Sequence, residues 1–442
     1  MRQSLVEAYR PQLRLAEAYV AKNFDGKTVS ANTKLATAVL LDNTNKWITE
    51  SMNTVATERS DLGDWKKFCL NLTNLAVPSL IANDLVIVHP MTSYSGAVAY
   101  LKYVSKTDKG DVRKGDEFNS VFGLGAMTEG RRNFSSQVII DTIVKDGDKV
   151  TLTPMAAGRF EDGKKDAKIV HKDGGVEYVT VDELNAATLV AGDKVAYFSE
   201  EFQMEHVPAQ DIPTIGPKMD RIPLVAEPRR IAVRYDQITA FQAKTDYGFS
   251  LDKQIAEQAC GELAYEIDSE IVDMLLQAAK KNTTAEELAS LTWSKTLPVG
   301  VSKFEHYNGF LEIIDIASTI IYNRTKKFDP TYMVVARDVL NVISFVNGFT
   351  AIKASKKNGP YKAGSIGGID VYVSPDLSSG EFFFGLNGSD MMSSAGVYAP
   401  YMAIVPTQLL GTPDGGLAQG FSTWYAKAIL NGNLLVYGKI IA

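Results

Sequence analysis

Four histidines and two cysteines are the side chains of this sequence best suited to bind a metal or attack a substrate: His89, His171, His206, His306, Cys69 and Cys260. A metal site needs such residues a few positions apart on one turn or hairpin. No two of these histidines have that spacing, and no cysteine pair assists them. The cysteines lie far apart, so no disulfide framework is indicated, and folding in a reducing cytoplasm is expected. Gly123 and Gly125 are followed by Gly130, which misses the spacing of a dinucleotide-binding turn. Neither a phosphate-binding G-x-x-x-x-G-K-S/T nor a G-x-S-x-G nucleophile elbow occurs. Glu262, Glu266, Asp268 and Glu270 crowd one segment and could act as paired carboxylates. Their spacing reads more simply as a solvated or salt-bridged helix face. Lys353, Lys356, Lys357 and Lys362 could touch phosphate, but the Gly and Ser around them suit a loop at a subunit junction or in solvent. The sequence thus offers no catalytic residue, no metal site and no cofactor site.

The elements that would position such groups point elsewhere. The chain has 442 residues, enough for two or three domains, with 45% hydrophobic and 22% charged residues. No apolar run approaches the roughly 20 residues of a membrane span, and the charges in MRQSLVEAYRPQLRLAEAYV argue against a signal peptide. A net charge of −6 disfavours a protein whose main task is to grip phosphates.

Residues 1–75 read as amphipathic helices, with Leu35, Val39, Trp47, Trp65, Phe68 and Leu70 on their apolar faces. They suit a helical subdomain or an arm lying on neighbouring subunits. In 229–240, Ile231, Val233 and Tyr235 alternate with Arg230, Arg234 and Asp236, as expected of a ribbon strand with one apolar and one charged face. Neither segment has an obvious partner in its own chain. Residues 137–205 carry Asp-Gly and Gly-Gly hairpin signals and predict a small β-rich module, with VTVDELNAA as a short helix. Pro208, Pro213, Pro217, Pro223 and Pro228 then read as a linker.

The strongest helix signal covers 249–280, with Ser250 as N-cap. Leu251, Ile255, Ala259, Leu263, Ile267, Ile271 and Leu275 recur every four residues. Each step of four drifts by about 40°, so different sides of the helix are touched along its length. A second helix is expected over 302–327, with Phe304, Tyr307, Leu311, Ile314 and Ile321 on one face. Strands are expected at 332–337, 369–375 and 381–386, and a short helix near 339–346. This mixture predicts an α+β fold with a largely antiparallel sheet. The closing third, AGVYAPYMAIVPTQLLG and FSTWYAKAILNGNLLVYGKIIA, is aromatic, apolar and Gly-rich, suited to packing and pairing.

Three stretches carry a family likeness. VPSLIANDLVIVHPMTSYSGAVAYLK, with Pro90, Met91 and Gly96, is similar to the entry of the N-terminal arm into the peripheral domain in major capsid proteins of tailed bacteriophages of the T-even type. AVRYDQITAFQAKTDYGFSLDKQIAEQACGELAYEIDSEIVDML, preceded by Arg229 and Arg230, resembles their return strand and spine helix. SAGVYAPYMAIVPTQ, with Tyr398, Pro400 and Tyr401, and the closing FSTWYAKAILNG resemble their axial-domain strand and C-terminal stretch.

The resemblance implies a Hong Kong 97-type fold. Its parts would be an N-terminal arm (1–75), a peripheral domain (76–95 and 229–300) with its spine helix, and an extended loop (96–228) carrying the β-rich insertion 137–205. An axial domain (301–442) would send its last strands back to the peripheral domain. The resemblance implies assembly and structural roles for Pro90, Met91, Gly96, Arg229, Arg230, Arg234, Leu263, Ile267, Ile271, Tyr398, Pro400 and Tyr401. It implies hexameric and pentameric capsomers of the chain itself, enclosing double-stranded DNA without sequence-specific contacts. Portal, scaffold, vertex or decoration proteins are the further implied partners, with no membrane, in a virion assembled in the bacterial cytoplasm. T-even members lose an N-terminal propeptide; here that part is short, and processing is not expected. The alternatives are a vertex-forming paralogue, an encapsulin-like compartment shell and a soluble enzyme.

Overall fold

The computed structural model describes residues 2–23, 29–52, 80–107, 114–115, 138–142, 167–172, 175–187, 189–198, 214–246, 248, 251–325, 327–352, 359–388, 391–407, 410–411 and 416–441. It divides into two compact units, Met1–Ala99 with Arg221–Ala442 and Tyr100–Asp220. The boundary falls inside both strands of a two-stranded sheet formed by β2 (Ser95–Ser105) and β7 (Ile215–Val225).

In the first unit the chain opens with helices α1 (Arg2–Ala8), α2 (Arg10–Asn23) and α3 (Ala31–Met52), then α4 (Ala82–Leu85) and β1 (Ile87–Val88). It resumes with β8 (Glu227–Asp236), α6 (Gln237–Asp246), α7 (Leu251–Asn282), α8 (Ala285–Ser290) and β9 (Thr292–Ser294). Next come α9 (Lys303–Asn308), α10 (Phe310–Thr325), β10 (Tyr332–Val335), α11 (Arg337–Ile343) and β11 (Thr350–Ala351). The strands β12 (Tyr361–Ile366), β13 (Ile369–Val373), β14 (Glu381–Gly385), β15 (Gly396–Pro406), β16 (Leu410–Gly411), β17 (Gly416–Ile429) and β18 (Val436–Ile441) complete it.

Two sheets organise these elements. In one, β15 lies between β1 and β17, and β8 runs antiparallel to β17 from Glu227↔Tyr425 to Asp236↔Gly416. In the other the order is β11-β12-β13-β10-β14-β18-β9. Its centre is fully buried, since YMVV of β10 and EFFFG of β14 expose no residue. Such runs belong to strands covered on both faces. Aromatic edge-to-face contacts tie the helices to this sheet: Trp293 to Phe310 at 5.9 Å, Phe310 to Phe382 at 5.6 Å and Phe382 to Phe384 at 5.8 Å.

The long helix α7 joins the two sheets. Ala256, Ala259, Cys260 and Leu263 pack with Ile404 and Phe421 and against Ile231 and Val233. From Ala264 onward, Ile267, Ile271 and Leu275 enter the main core with β10, β14 and α10. This is the physical content of a four-residue stripe that drifts around a helix: the buried side changes partner midway.

The second unit holds β3 (Val138–Thr142), β4 (Ala167–Val170), β5 (Val176–Val179), α5 (Val181–Ala186) and β6 (Lys194–Phe198). The strand order is β3-β6-β4-β5, all antiparallel. Thr180 and Glu183 form a reciprocal capping box that starts α5.

Four expectations are corrected. Three of the five linker prolines lie in strands, Pro217 and Pro223 inside β7 and Pro228 inside β8, while Pro208 and Pro213 lie outside the described residues. A ribbon strand has a free outer edge, where a missing N–H breaks no ladder bond. The strand expected over 229–240 stops at Asp236, where α6 begins. The helix expected over 302–327 is two helices meeting at Gly309, and its buried face is Tyr307, Phe310, Ile314, Ala317 and Ile321. Phe304 and Leu311 are 51% and 37% exposed instead. Lastly, the N-terminal helices and the charged-and-apolar strand do have partners in the chain. Leu40 of α3 is buried against Ala403 of β15, and β8 is paired along its whole length. Those partners lie far away in sequence, which no local pattern reveals.

Cys69, His206, Gly123, Gly125, Gly130, Lys353, Lys356 and Lys357 lie outside the described residues, as do Ser250, Trp65, Phe68 and Leu70.

Candidate assembly surfaces

The residues singled out from the sequence sit mostly in the frame of the first unit. After β1, the backbone continues alongside β15: the His89 N–H donates to Tyr398 O and the Met91 N–H to Pro400 O, both at 2.9 Å. Met91 is buried with Ile87, Val98, Leu224 and Val397. Asn43 of α3 clamps this junction, its Nδ2 donating to Met91 O at 2.9 Å and to Tyr401 O at 2.8 Å. Pro90 is half-buried, and Gly96 is exposed at the start of β2. A Cβ at Gly96 would meet only Met91 Cε at 3.4 Å, an ordinary contact, so space does not require glycine there. Tyr398 is buried with its ring 5.5 Å from Tyr425, and burial pushes its hydroxyl pKa up. Pro400 is buried and Tyr401 half-buried. Leu263, Ile267 and Ile271 are all buried, Leu263 in a different cluster from the other two.

The three arginines are divided by the strand's alternation. Arg229 turns toward α7, while Arg230 and Arg234 are exposed on the opposite face. Arg230 lies over the Trp424 ring at 5.9 Å. Arg229 forms a two-bond pair with Glu270, Nε to Oε1 at 2.7 Å and Nη2 to Oε2 at 3.0 Å. Tyr425 and Lys427 of β17 also donate to Glu270 Oε2, at 2.8 and 2.7 Å. Burial alone would raise the Glu270 pKa, but the bonds from Arg229, Lys427 and Tyr425 outweigh it and hold the carboxyl at about 2.

The structure separates the members of the acidic run. Glu262 and Glu266 are exposed. Asp268 is buried and accepts the Ala82 N–H at 3.0 Å, and Glu270 is the hub just described. Two further hubs carried no local signal. Arg324 donates to Glu287, to Asn282 O at 2.8 Å and to Leu435 O at 3.0 Å. Glu381 accepts from Lys280 at 2.7 Å and Tyr437 at 2.9 Å. Each partner is contributed by a different element, which only the fold brings together.

Several large apolar side chains point outward. In the first unit Tyr94, Val225, Ile238, Phe241, Leu297, Val299, Phe304 and Phe345 are exposed. In the second unit Tyr103, Ile215 and Met219 are exposed. Among the described residues no group of His, Cys, Asp and Glu could hold a metal ion, and no helix is long and apolar enough to cross a membrane.

The described fold is an α+β frame in which one long helix packs on two sheets. Residues 62–436 match the family described as major capsid protein Gp23. The major capsid protein of Enterobacteria phage T4 is 23% identical over 396 residues, covering 81% of this chain and 74% of that protein. That of Escherichia phage AR1 is 22% identical over 392 residues, with 81% and 74% covered. A solved chain of Microbacterium phage Oxtober96 aligns with a TM-score of 0.40 and 9% identity, covering 82% of this chain and 91% of that one. The capsid of Myoviridae Phage XM1 gives a TM-score of 0.35 at 10% identity, with 54% and 81% covered. The match over residues 62–436 decides the matter: the chain belongs to the Gp23 family of major capsid proteins. It is a structural protein of a phage head shell, not an enzyme.

Proposed function

We propose that copies of this chain assemble into hexamers, with pentamers made by this chain or a paralogue, to form a head shell that encloses double-stranded DNA. The observation that carries this reading is the family match, which spans residues 62–436. The mechanism is physical. Each subunit distributes its binding over several different patches, and such heterologous contacts close into rings and shells. Interfaces of obligate assemblies run to thousands of Å². The net charge of −6 fits DNA held by enclosure instead of by counterion release.

We read the fold as Hong Kong 97 type, with 1–75 as arm, 76–95 and 229–300 as peripheral domain, 96–228 as extended loop and 301–442 as axial domain. The separate unit Tyr100–Asp220, which lies within 96–228, supports an extended loop with an inserted module. Portal, scaffold, vertex or decoration proteins are the further partners of this reading, and the host cytoplasm is the site of assembly.

Electron microscopy and light scattering of the purified full chain test it. Closed particles or capsomers are expected, with nucleic acid and not a packaged enzyme as the co-purifying cargo. A homogeneous 48.3 kDa monomer at high concentration and moderate salt would overturn it.

A further inference from the structure

Five Asn-Gly pairs occur in the chain: Asn308-Gly309, Asn347-Gly348, Asn358-Gly359, Asn387-Gly388 and Asn431-Gly432. Such a pair carries latent chemistry. The glycine main-chain nitrogen can attack the asparagine side-chain carbon Cγ, because the glycine has no side chain to obstruct the approach. The new N–Cγ bond closes a five-membered imide, while the C–N bond of the side-chain amide breaks and releases ammonia. Water then opens the imide. Opening at one carbonyl leaves aspartate. Opening at the other leaves isoaspartate, in which the main chain runs through the former side chain. Water is the one co-reactant. Two freedoms decide whether a pair reacts: the side chain must be able to swing back, and the glycine N–H must not be held in a hydrogen bond.

The described pairs differ in both. The Gly309 N–H donates to Glu305 O at 3.3 Å and to His306 O at 3.1 Å, and Asn308 Oδ1 accepts the Asn347 N–H at 2.9 Å. The Gly388 N–H donates to Ser393 O at 2.9 Å. Asn387 Nδ2 donates to Asp84 O at 2.9 Å, and its Oδ1 accepts the Ser394 hydroxyl at 3.3 Å. Asn431 is buried, its Oδ1 accepts the Asn433 N–H at 3.0 Å, and Asn282 Nδ2 crowds Gly432. Asn358 lies outside the described residues.

Asn347 and Gly348 carry neither restraint. Both are exposed, in the turn between α11 and β11. Among the described residues no hydrogen bond holds the Asn347 side chain or the Gly348 N–H. Gly348 has φ +87, and nothing lies within 4 Å of the place a Cβ would take, so the ring has room to close.

We propose that Asn347 is a site of spontaneous deamidation, with Gly348 N as the attacking atom and water as the reactant. The conversion adds a negative charge to an exposed turn. In the isoaspartyl product the main chain also gains a carbon between 347 and 348. Two features depend on that length. One is the bond from the Asn347 N–H to Asn308 Oδ1; the other is β11, where Thr350 pairs with Ser365 and Ala351 with Gly364. An edge strand this short is held by little and is displaced first. The inference needs only the folded chain and stands apart from the shell reading.

The test incubates the full-length folded chain at mildly alkaline pH, and the same chain unfolded in urea. Tryptic peptides are followed by mass spectrometry, with fragmentation to place each conversion. In the folded chain Asn347 should convert roughly tenfold faster than Asn308, Asn387 and Asn431, the scale of one hydrogen bond broken before attack. In urea the four should convert at similar rates. The product at 347 should contain isoaspartate as well as aspartate. Asn347→Gln should remove the main acidic species from ion-exchange profiles while leaving the thermal midpoint in place. Equal rates at the four pairs in the folded chain would overturn the proposal. So would an Asn347 that converts no faster than Asn341, which valine follows, or a product holding aspartate alone, the mark of direct amide hydrolysis.

Discussion

Glu270 of α7 and Arg229 of β8, 41 residues apart, meet in a two-bond ion pair with Nε–Oε1 at 2.7 Å and Nη2–Oε2 at 3.0 Å. Tyr425 and Lys427 complete the shell around the same carboxylate. One side chain thus fixes the edge strand, the long helix and the central strand in register. Geometry of this kind is stronger than a lone surface pair.

The pH consequence has a definite sign. The Glu270 pKa falls from 4.5 in the unfolded chain to about 2 in the folded one. The stabilisation is therefore fully present above about 4.5 and is lost as pH falls toward 2. Solvent screening at this half-buried site limits it to roughly 1–2 kcal/mol. Glu270→Gln should lower stability at pH 7 and flatten its decline between pH 4.5 and 2 in urea titrations. A variant whose decline matches the unsubstituted protein across that window would remove Glu270 as the determinant.

Leu263 is 1% exposed where α7 crosses Phe421 and Ile404. Leu263→Ala should cost about 2–5 kcal/mol, the range for a buried leucine whose cavity only partly collapses. Leu263→Asp, which buries an unpaired charge, should give no soluble folded protein. Soluble Leu263→Asp chains that still assemble would show that this crossing bears little of the stability.

Gly380 has φ +80, and a Cβ there would lie 2.5 Å from Ile440 O. The same turn receives the Ile440 N–H at Gly380 O, 2.7 Å away. Gly380→Ala should cost at least about 2 kcal/mol, from backbone strain and displaced β18. Equal urea midpoints for the two proteins would contradict the close approach.

Local patterns were legible and long-range pairings were not. The four-residue repeat Ala259, Leu263, Ile267, Ile271 and Leu275 marks a helix, and α7 spans Leu251–Asn282. The apolar runs of β10, β13 and β14 mark buried strands. The capping box Thr180–Glu183 and the hairpin pairing of Val170 with Val176 are written within a few residues. By contrast, the partner of Ile231 is Phe421, and those of Glu270 are 41, 155 and 157 residues away. Period-two alternation reports that a strand has two faces, not which strand it joins. Gly309 divides two helices because the buried face already runs 307, 310, 314, 317 and 321, a phase that a count from Phe304 through Leu311 misses. The outward Ile238 and Phe241 were illegible for another reason: an apolar residue carries no mark of which side of a short helix the fold buries, and here that residue is Ala243.

Binding of free DNA should be weak and without sequence preference, because a chain of net charge −6 releases few counterions. Gel shifts should show loss of any complex by roughly 200 mM salt. A complex that survives that salt would assign the chain a direct grip on nucleic acid.

Residues 137–205 should be removable. Every described strand between 138 and 198 pairs with another strand of the same segment, in the order β3-β6-β4-β5. The segment therefore satisfies its own ladder. Its outermost described strands are also neighbours, since Val138 is the register partner of Phe198. Such partners lie about 5 Å apart, so a few glycines and serines can bridge the gap. Shortening a closed loop changes its entropy only slowly with length, so the joint itself should cost little. A chain with 137–205 replaced by a short Gly/Ser linker should keep its helical circular dichroism and a single cooperative unfolding transition. Assembly can weaken if the module touches neighbouring subunits, and light scattering would report that separately. An unfolded spectrum for the shortened chain would place the segment in the core of the fold and end its description as an inserted module.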